Sequence, residues 1–282
     1  MTLYHYTDQS GFMGIFLEQE LWATKIQYLN DEKEYSLALD LTRIQLQCLV
    51  EKYVQENNSA LVDKLNYYID CIPNIKDMNI CVSSLTENGD LLSQWRGYSR
   101  KLGGYSIGFN KLALQPFVHL KGFELAQCVY ETTAQNELIK NMINSVLDDF
   151  KSKPEDQYTI GAYNESSRVF LQRLAKIAPL LKDSSFTEEC EWRIIAEVNY
   201  ENLDFRSGSS MLMPFCKIKL NNIKNVYFNS LIDEVIVGHT PNPELAVSAT
   251  EAFILKHFPP KSGNNYICPI DVKISKIPFR NW

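Results

Sequence analysis

"SSFTEECEWRII", Ser184 to Ile195, is the stretch on which the fold turns. Three glutamates, Glu188, Glu189 and Glu191, stand ahead of "WRIIAEV", a run of strand-forming residues. Side chains alternate along a strand, so Glu189, Glu191 and Arg193 are expected on one face. Cys190, Trp192 and Ile194 take the other, which is the expected core side. Two carboxylates two residues apart on one face repel unless a cation sits between them. Arg193 is the candidate for that cation, which makes the group structural. The functional alternative is a cleft for a positively charged substrate or transition state. On either reading the segment is a strand that begins at a cleft and ends in a core.

Working outward, the strands "MNICVSSL", "YSIGF" and "FELAQCVY" precede it, and "FRSG", "MLMPFCKIKL", "DEVIVGH" and "CPIDVKISKI" follow. At the start, "TLYHYT" reads as a strand, with Asp8 or Ser10 capping the helix "GFMGIFLEQE" before a second strand "LWAT". A long helix runs through "YLNDEKEYSLALDLTRIQLQCLVEKYVQENN". Asp31 is its expected cap, Glu34 completes a capping box, and Leu37, Leu41, Ile44, Leu46 and Val50 form its apolar face. A second helix, "ALVDKLNYYIDCI", follows it. Asp90 is expected to cap a short helix, "LLSQWRGYSR". Two helices fill Glu131 to Leu181, and "PELAVSATEAFILKHF" is the last. Strands and helices do not alternate strictly. The expected class is α+β, with a mixed, mainly antiparallel sheet core and a helical insertion.

At 282 residues, with no repeat and no long linker, one domain over 1–282 is the simplest organisation. Its helical segments, at about 32–72 and 131–182, pack on the sheet core. A net charge of −6 disfavours a dedicated nucleic-acid binder without excluding a local basic patch. The seven cysteines are scattered, with no Cys-x-x-Cys and no Cys/His cluster, so neither a zinc site nor a disulfide framework is expected. There is no signal-peptide pattern and no apolar run of membrane-spanning length. The expected setting is the reducing cytoplasm.

Four dispersed stretches combine polar and aromatic groups: "LYHYT", "LNDEKE", "SQWRGY" with "GGYSIGF", and "EECEWR". None is a phosphate-binding loop, a zinc-protease helix or a nucleophile elbow. In order they resemble a bacterial family, the domain of unknown function numbered twenty-nine seventy-one. The matching segments are Leu3 to Tyr6, Asn30 to Glu34, Cys81 to Ser83, Trp95 to Tyr98, Gly104 to Phe109, Glu189 to Arg193, Val235 to Gly238 and Ser275 to Arg280. The chain departs from the family in "QWRGYSRKLGGYSIGF", which lacks the histidine that many members carry before the glycine.

A more distant likeness is to ADP-ribosyltransferases. They share an N-terminal strand with a histidine, a middle strand with a serine or tyrosine, and a late strand that opens with Glu-x-Glu. The resemblance implies NAD as a substrate and either transfer to an unknown macromolecule or hydrolysis, in a bacterial toxin or phage-defence effector. Glu191 would stabilise the oxocarbenium-like state formed as nicotinamide leaves, and Glu189 would position or deprotonate the acceptor. His5 and Asn30 would bind on the nucleotide side, Tyr6 or Tyr105 would stack on the pyridinium, and Arg96 would neutralise the pyrophosphate. Two rivals stand beside this reading. One is a non-catalytic module that binds a nucleotide or a protein. The other is a metal-dependent nuclease or hydrolase built on Asp31, Glu34, Glu189 and Glu191. The leading reading requires no metal.

Overall fold

The computed structural model describes residues 1–29, 32–99, 103–152, 160–221, 227–259 and 267–278. The sheet is built around β3 (Ile80–Thr86), whose residues are all buried except Ser84. β6 (Glu191–Glu197) lies antiparallel along one whole edge, from Ile80 against Glu197 to Thr86 against Glu191. The other edge of β3 is shared. β2 (Glu20–Lys25) takes its start, at Cys81 and Val82, and β1 (Thr2–Asp8) takes its end, through Tyr4 against Thr86.

The sheet therefore divides at β3. One wing continues from β1 to β4 (Gly104–Asn110), β9 (Ile232–Val237) and β10 (Asp271–Ile274). The other continues from β2 to β8 (Leu212–Lys219) and β7 (Asp204–Ser207). β5 (Glu124–Gln127) borders β6. The pairing of β9 with β10 is parallel and the other strand pairs are antiparallel, which gives the mixed, mainly antiparallel α+β class expected.

Alternation gives each face its own core. Cys81, Leu85, Ile194 and Ala196 pack with Phe12 and Phe16 of α1 (Gln9–Glu18), Leu114 and Phe117 of α5 (Lys111–Leu120) and Ile254 of α8 (Pro243–His257). Ile80, Val82 and Ile195 face the other way. They meet Leu46 of α2 (Glu32–Gln55), Leu65 of α3 (Ser59–Cys71), Ile143 of α6 (Thr132–Lys151) and Phe170 of α7 (Ile160–Ile177). Among the described residues no helix is long and apolar enough to cross a membrane.

Two local expectations need correction. Ile44 is 52 % exposed, so the face read in the sequence holds only in part: Leu46 is buried and Leu41 and Val50 pack partly buried, while Tyr35, Ala38, Thr42 and Tyr53 complete the buried stripe of α2. Asp90 does not cap α4 (Leu92–Tyr98), which begins after Leu91 with no side-chain cap. Its carboxylate instead accepts from Trp95 Nε1 at 2.7 Å, Ser275 Oγ at 2.5 Å and the Lys276 amide at 2.7 Å, tying the segment after β10 to α4. The Asp31 cap lies outside the described residues.

Candidate functional site

β6 opens from a 3-10 turn, Ser184–Glu189, which Asp183 starts by accepting from the Ser185 amide at 2.9 Å. Cys190 joins turn to strand in the left-handed region, with φ 42°, a costly conformation for a side chain of this kind. It is held by its own amide on the Thr187 carbonyl at 3.1 Å and its carbonyl on the Glu87 amide at 3.3 Å. Glu189 is thus not on the strand, which corrects the alternation read from the sequence. The bend nevertheless returns Glu189 and Glu191 to one cation, Lys182, whose Nζ donates to both carboxylates.

Arg193 supplies the second cation. Its Nε and Nη2 clasp Glu191 at 2.9 and 3.1 Å, and its Nη1 donates to the Pro179 carbonyl at 2.7 Å. The Glu191 amide donates to Tyr130 Oη at 2.9 Å. Glu191 is 4 % exposed, Lys182 5 % and Arg193 2 %. Two anions and two cations balance, as buried charge requires. Burial alone would raise the Glu191 pKa. Arg193 and Lys182 outweigh that and hold it at about 2. Glu191 is therefore a fixed negative charge near neutrality and not a proton acceptor. Tyr98, 44 % exposed, sits at the edge of the cluster, its phenol pushed up by partial desolvation and then by the Glu191 and Glu189 carboxylates.

The other residues named from the sequence fall elsewhere. Tyr4, Thr86 and Glu191 lie level across β1, β3 and β6, so they share a face. His5 and Tyr105 take the opposite phase. His5 pairs with Ile107 and Tyr105 with Thr7, toward the core of α1 and α8. Tyr105 stacks on Phe12 with ring centres 4.2 Å apart. His5 reaches across the division of the sheet, where its Nδ1 meets the Ser84 carbonyl at 2.9 Å. Burial pulls its pKa down, which keeps the ring neutral. Tyr6 packs edge-on against Trp95, and its hydroxyl donates to the Asn88 carbonyl and accepts from the Leu91 amide, both at 2.8 Å. Arg96 lies exposed on α4, two positions before Tyr98. Asn30 is outside the described residues.

Trp192 does face away from Glu191, but it is half-buried, not a core residue. Its Nε1 donates to Glu87 at 2.8 Å, and Lys111 Nζ lies 3.8 Å from its ring centre. Sequence reasoning missed Lys182 and Tyr130. The only signal for Lys182 is a lysine directly after the apolar "APLL", nine positions before Glu191. Two surface clefts, of about 440 and 390 Å³, lie on the helical side, the first along Gln45 and Lys140, the second along Tyr67 and Arg168. Neither is lined by the cluster. Among the described residues no three His, Cys, Asp or Glu side chains gather as a metal site.

Residues 94–194 match the family described as "Protein of unknown function (DUF2971)". The matched span begins on α4 and ends inside β6. It includes Tyr98, Tyr130, Lys182, Glu189, Glu191 and Arg193, so the whole ionic cluster falls within it. No curated protein and no solved structure matches the chain.

Proposed function

We propose that this chain acts on NAD at the opening of β6, as an ADP-ribosyltransferase-like transferase or an NAD hydrolase. The observation that supports this reading is the pair of carboxylates, Glu189 and Glu191, gathered on Lys182 where β6 opens, with Tyr98 at their edge. His5 lies on the opposite face of the sheet from Glu191 and is not part of this site.

Glu191 contributes a permanent negative charge to the oxocarbenium-like state, an interaction that strengthens as nicotinamide departs. Glu189, whose side chain keeps 20 % of its surface, positions the acceptor. Tyr98 takes the stacking role, because Tyr6 and Tyr105 are committed to packing. Arg96, exposed on the same short helix, meets the pyrophosphate.

The test is nicotinamide release from NAD, with cell lysate added as a source of acceptor or activator, beside an NAD-dependent thermal shift. Wild type should release nicotinamide, and Glu189→Gln and Glu191→Gln should each slow it, the latter by about 10²–10³. A wild type that neither releases nicotinamide nor shifts with NAD rules the reading out.

One observation favours a second reading, a non-catalytic binding module. Lys182 and Arg193 neutralise both carboxylates internally, as a purely structural cluster would. Under that reading NAD turnover is absent, and the two Glu→Gln variants change only stability.

A further inference from the structure

Both ends of the sheet carry ion pairs, Lys273 with Glu234 and Asp271 at the β10 end and Lys217 with Asp204 at the β7 end; what sets the β7 end apart is its exposed apolar side chains. There β7 pairs with β8 alone among the described residues, and all four of its residues, Asp204 to Ser207, are exposed. Phe205 pairs with Pro214 and Ser207 with Leu212, so Phe205 and Leu212 prolong the core-facing side of the sheet beyond its last helix contact. They remain 57 % and 66 % exposed, with Met211 beside them in the hairpin at 58 %. An apolar edge of this kind is a template for another strand.

The order of residues on β7 selects that strand. Asp204, half-exposed beside its in-chain partner Lys217 at 2.8 Å, and Arg206, exposed with one Nη on Thr24 Oγ1 at 2.9 Å, flank Phe205 and share the opposite face, so a second copy would share these charges with their in-chain partners. An antiparallel copy of the same strand, centred on Phe205, brings Asp204 opposite Arg206 twice, and Phe205 opposite itself. The edge is thus complementary in charge and shape to its own two-fold image, the condition for a closed isologous contact. We propose that β7 is a two-fold interface between two copies of this chain, paired antiparallel about Phe205. The proposal stands independently of any activity on NAD. Four residues per strand form a small contact, so a weak, reversible dimer is expected.

The test is sedimentation equilibrium of the full chain over a range of concentrations. A reversible monomer–dimer equilibrium that weakens with added salt is expected. D204R and R206D should each shift it to monomer, and the D204R/R206D double variant should recover dimer, with melting curves as the folding control. Hydrogen exchange of wild type supplies a readout that no variant can confound: the amides of 204–207 should gain protection as concentration rises. A wild type that stays monomeric at the highest soluble concentration overturns the proposal. So does a dimer whose β7 amides show no concentration-dependent protection.

Discussion

Lys182 is the residue on which the cluster depends most, because among the described residues it is the cation that touches both carboxylates. Removing it leaves Glu191 with Arg193 alone and takes from Glu189 its ion-pair partner, and a buried carboxylate that loses a partner is costly. Lys182→Met is expected to lower stability by about 3 kcal/mol in chemical denaturation. Paired with Glu191→Gln it should cost clearly less than the sum of the two, since the double variant removes one charge of each sign. Additive costs would show that the two side chains are not coupled. Trp192 gives the opposite case. Lying half-buried under Lys111, it should cost about 2 kcal/mol on truncation to Ala, below the range of a fully buried tryptophan.

At the scale of elements, local chemistry was legible where the pattern was long or the cap was local. α6 and α7 fall within the stretch read as two helices, and Asp8 caps α1 through the Gly11 amide at 2.8 Å. The sequence reading leaves Lys111–Leu120 without an element, and there α5 forms around Pro116. Proline removes an amide donor and disfavours the preceding turn, so the pattern is a poor helix signal. Tertiary burial of Leu114, Phe117 and Val118, together with the Asn110 cap on the Ala113 amide at 3.2 Å, overrides it. Pro116→Ala should therefore stabilise by about 1–2 kcal/mol. That is less than the full penalty of proline inside a helix, because the unfolded chain also gains freedom. An unchanged or lowered denaturation midpoint would mean that the ring's packing outweighs the restored hydrogen bond. The candidate site was legible as residue types but not as geometry. Glu189, Glu191 and Arg193 could be read from one strand-like stretch, whereas Lys182 arrives from a separate turn. Cys190 breaks the alternation by a left-handed bend that no residue type signals, since glycine or asparagine is usual there. Which edge of β3 receives β1 and which part receives β2 is a long-range outcome that no local pattern encodes.

For the molecule as a whole, two titratable groups on either side of the divided sheet, the partly buried His5 and the buried Glu191, set the acid limit. His5, in the gap between β1 and β3, has its pKa lowered from an ordinary 6.5 by burial. The folded state therefore prefers the neutral ring. The stability this gives is complete above pH 6.5 and is lost as the pH falls toward the lower folded value. Glu191 acts in a lower window. Its pKa drops from 4.5 to about 2, so its contribution is complete above pH 4.5 and is lost as the pH falls through about 2. A shift of that size corresponds to on the order of 3 kcal/mol at neutrality. Urea denaturation followed from pH 8 to pH 2 should show stability falling in two stages, first with His5 and then with Glu191. His5→Asn should flatten the upper stage and leave the lower. Glu191→Gln should do the reverse, being less stable than wild type at pH 7 because it strands two buried cations, and converging on wild type in strong acid. If the Glu191→Gln protein keeps the full acid dependence below pH 4.5, the charge that Lys182 and Arg193 hold does not anchor the fold.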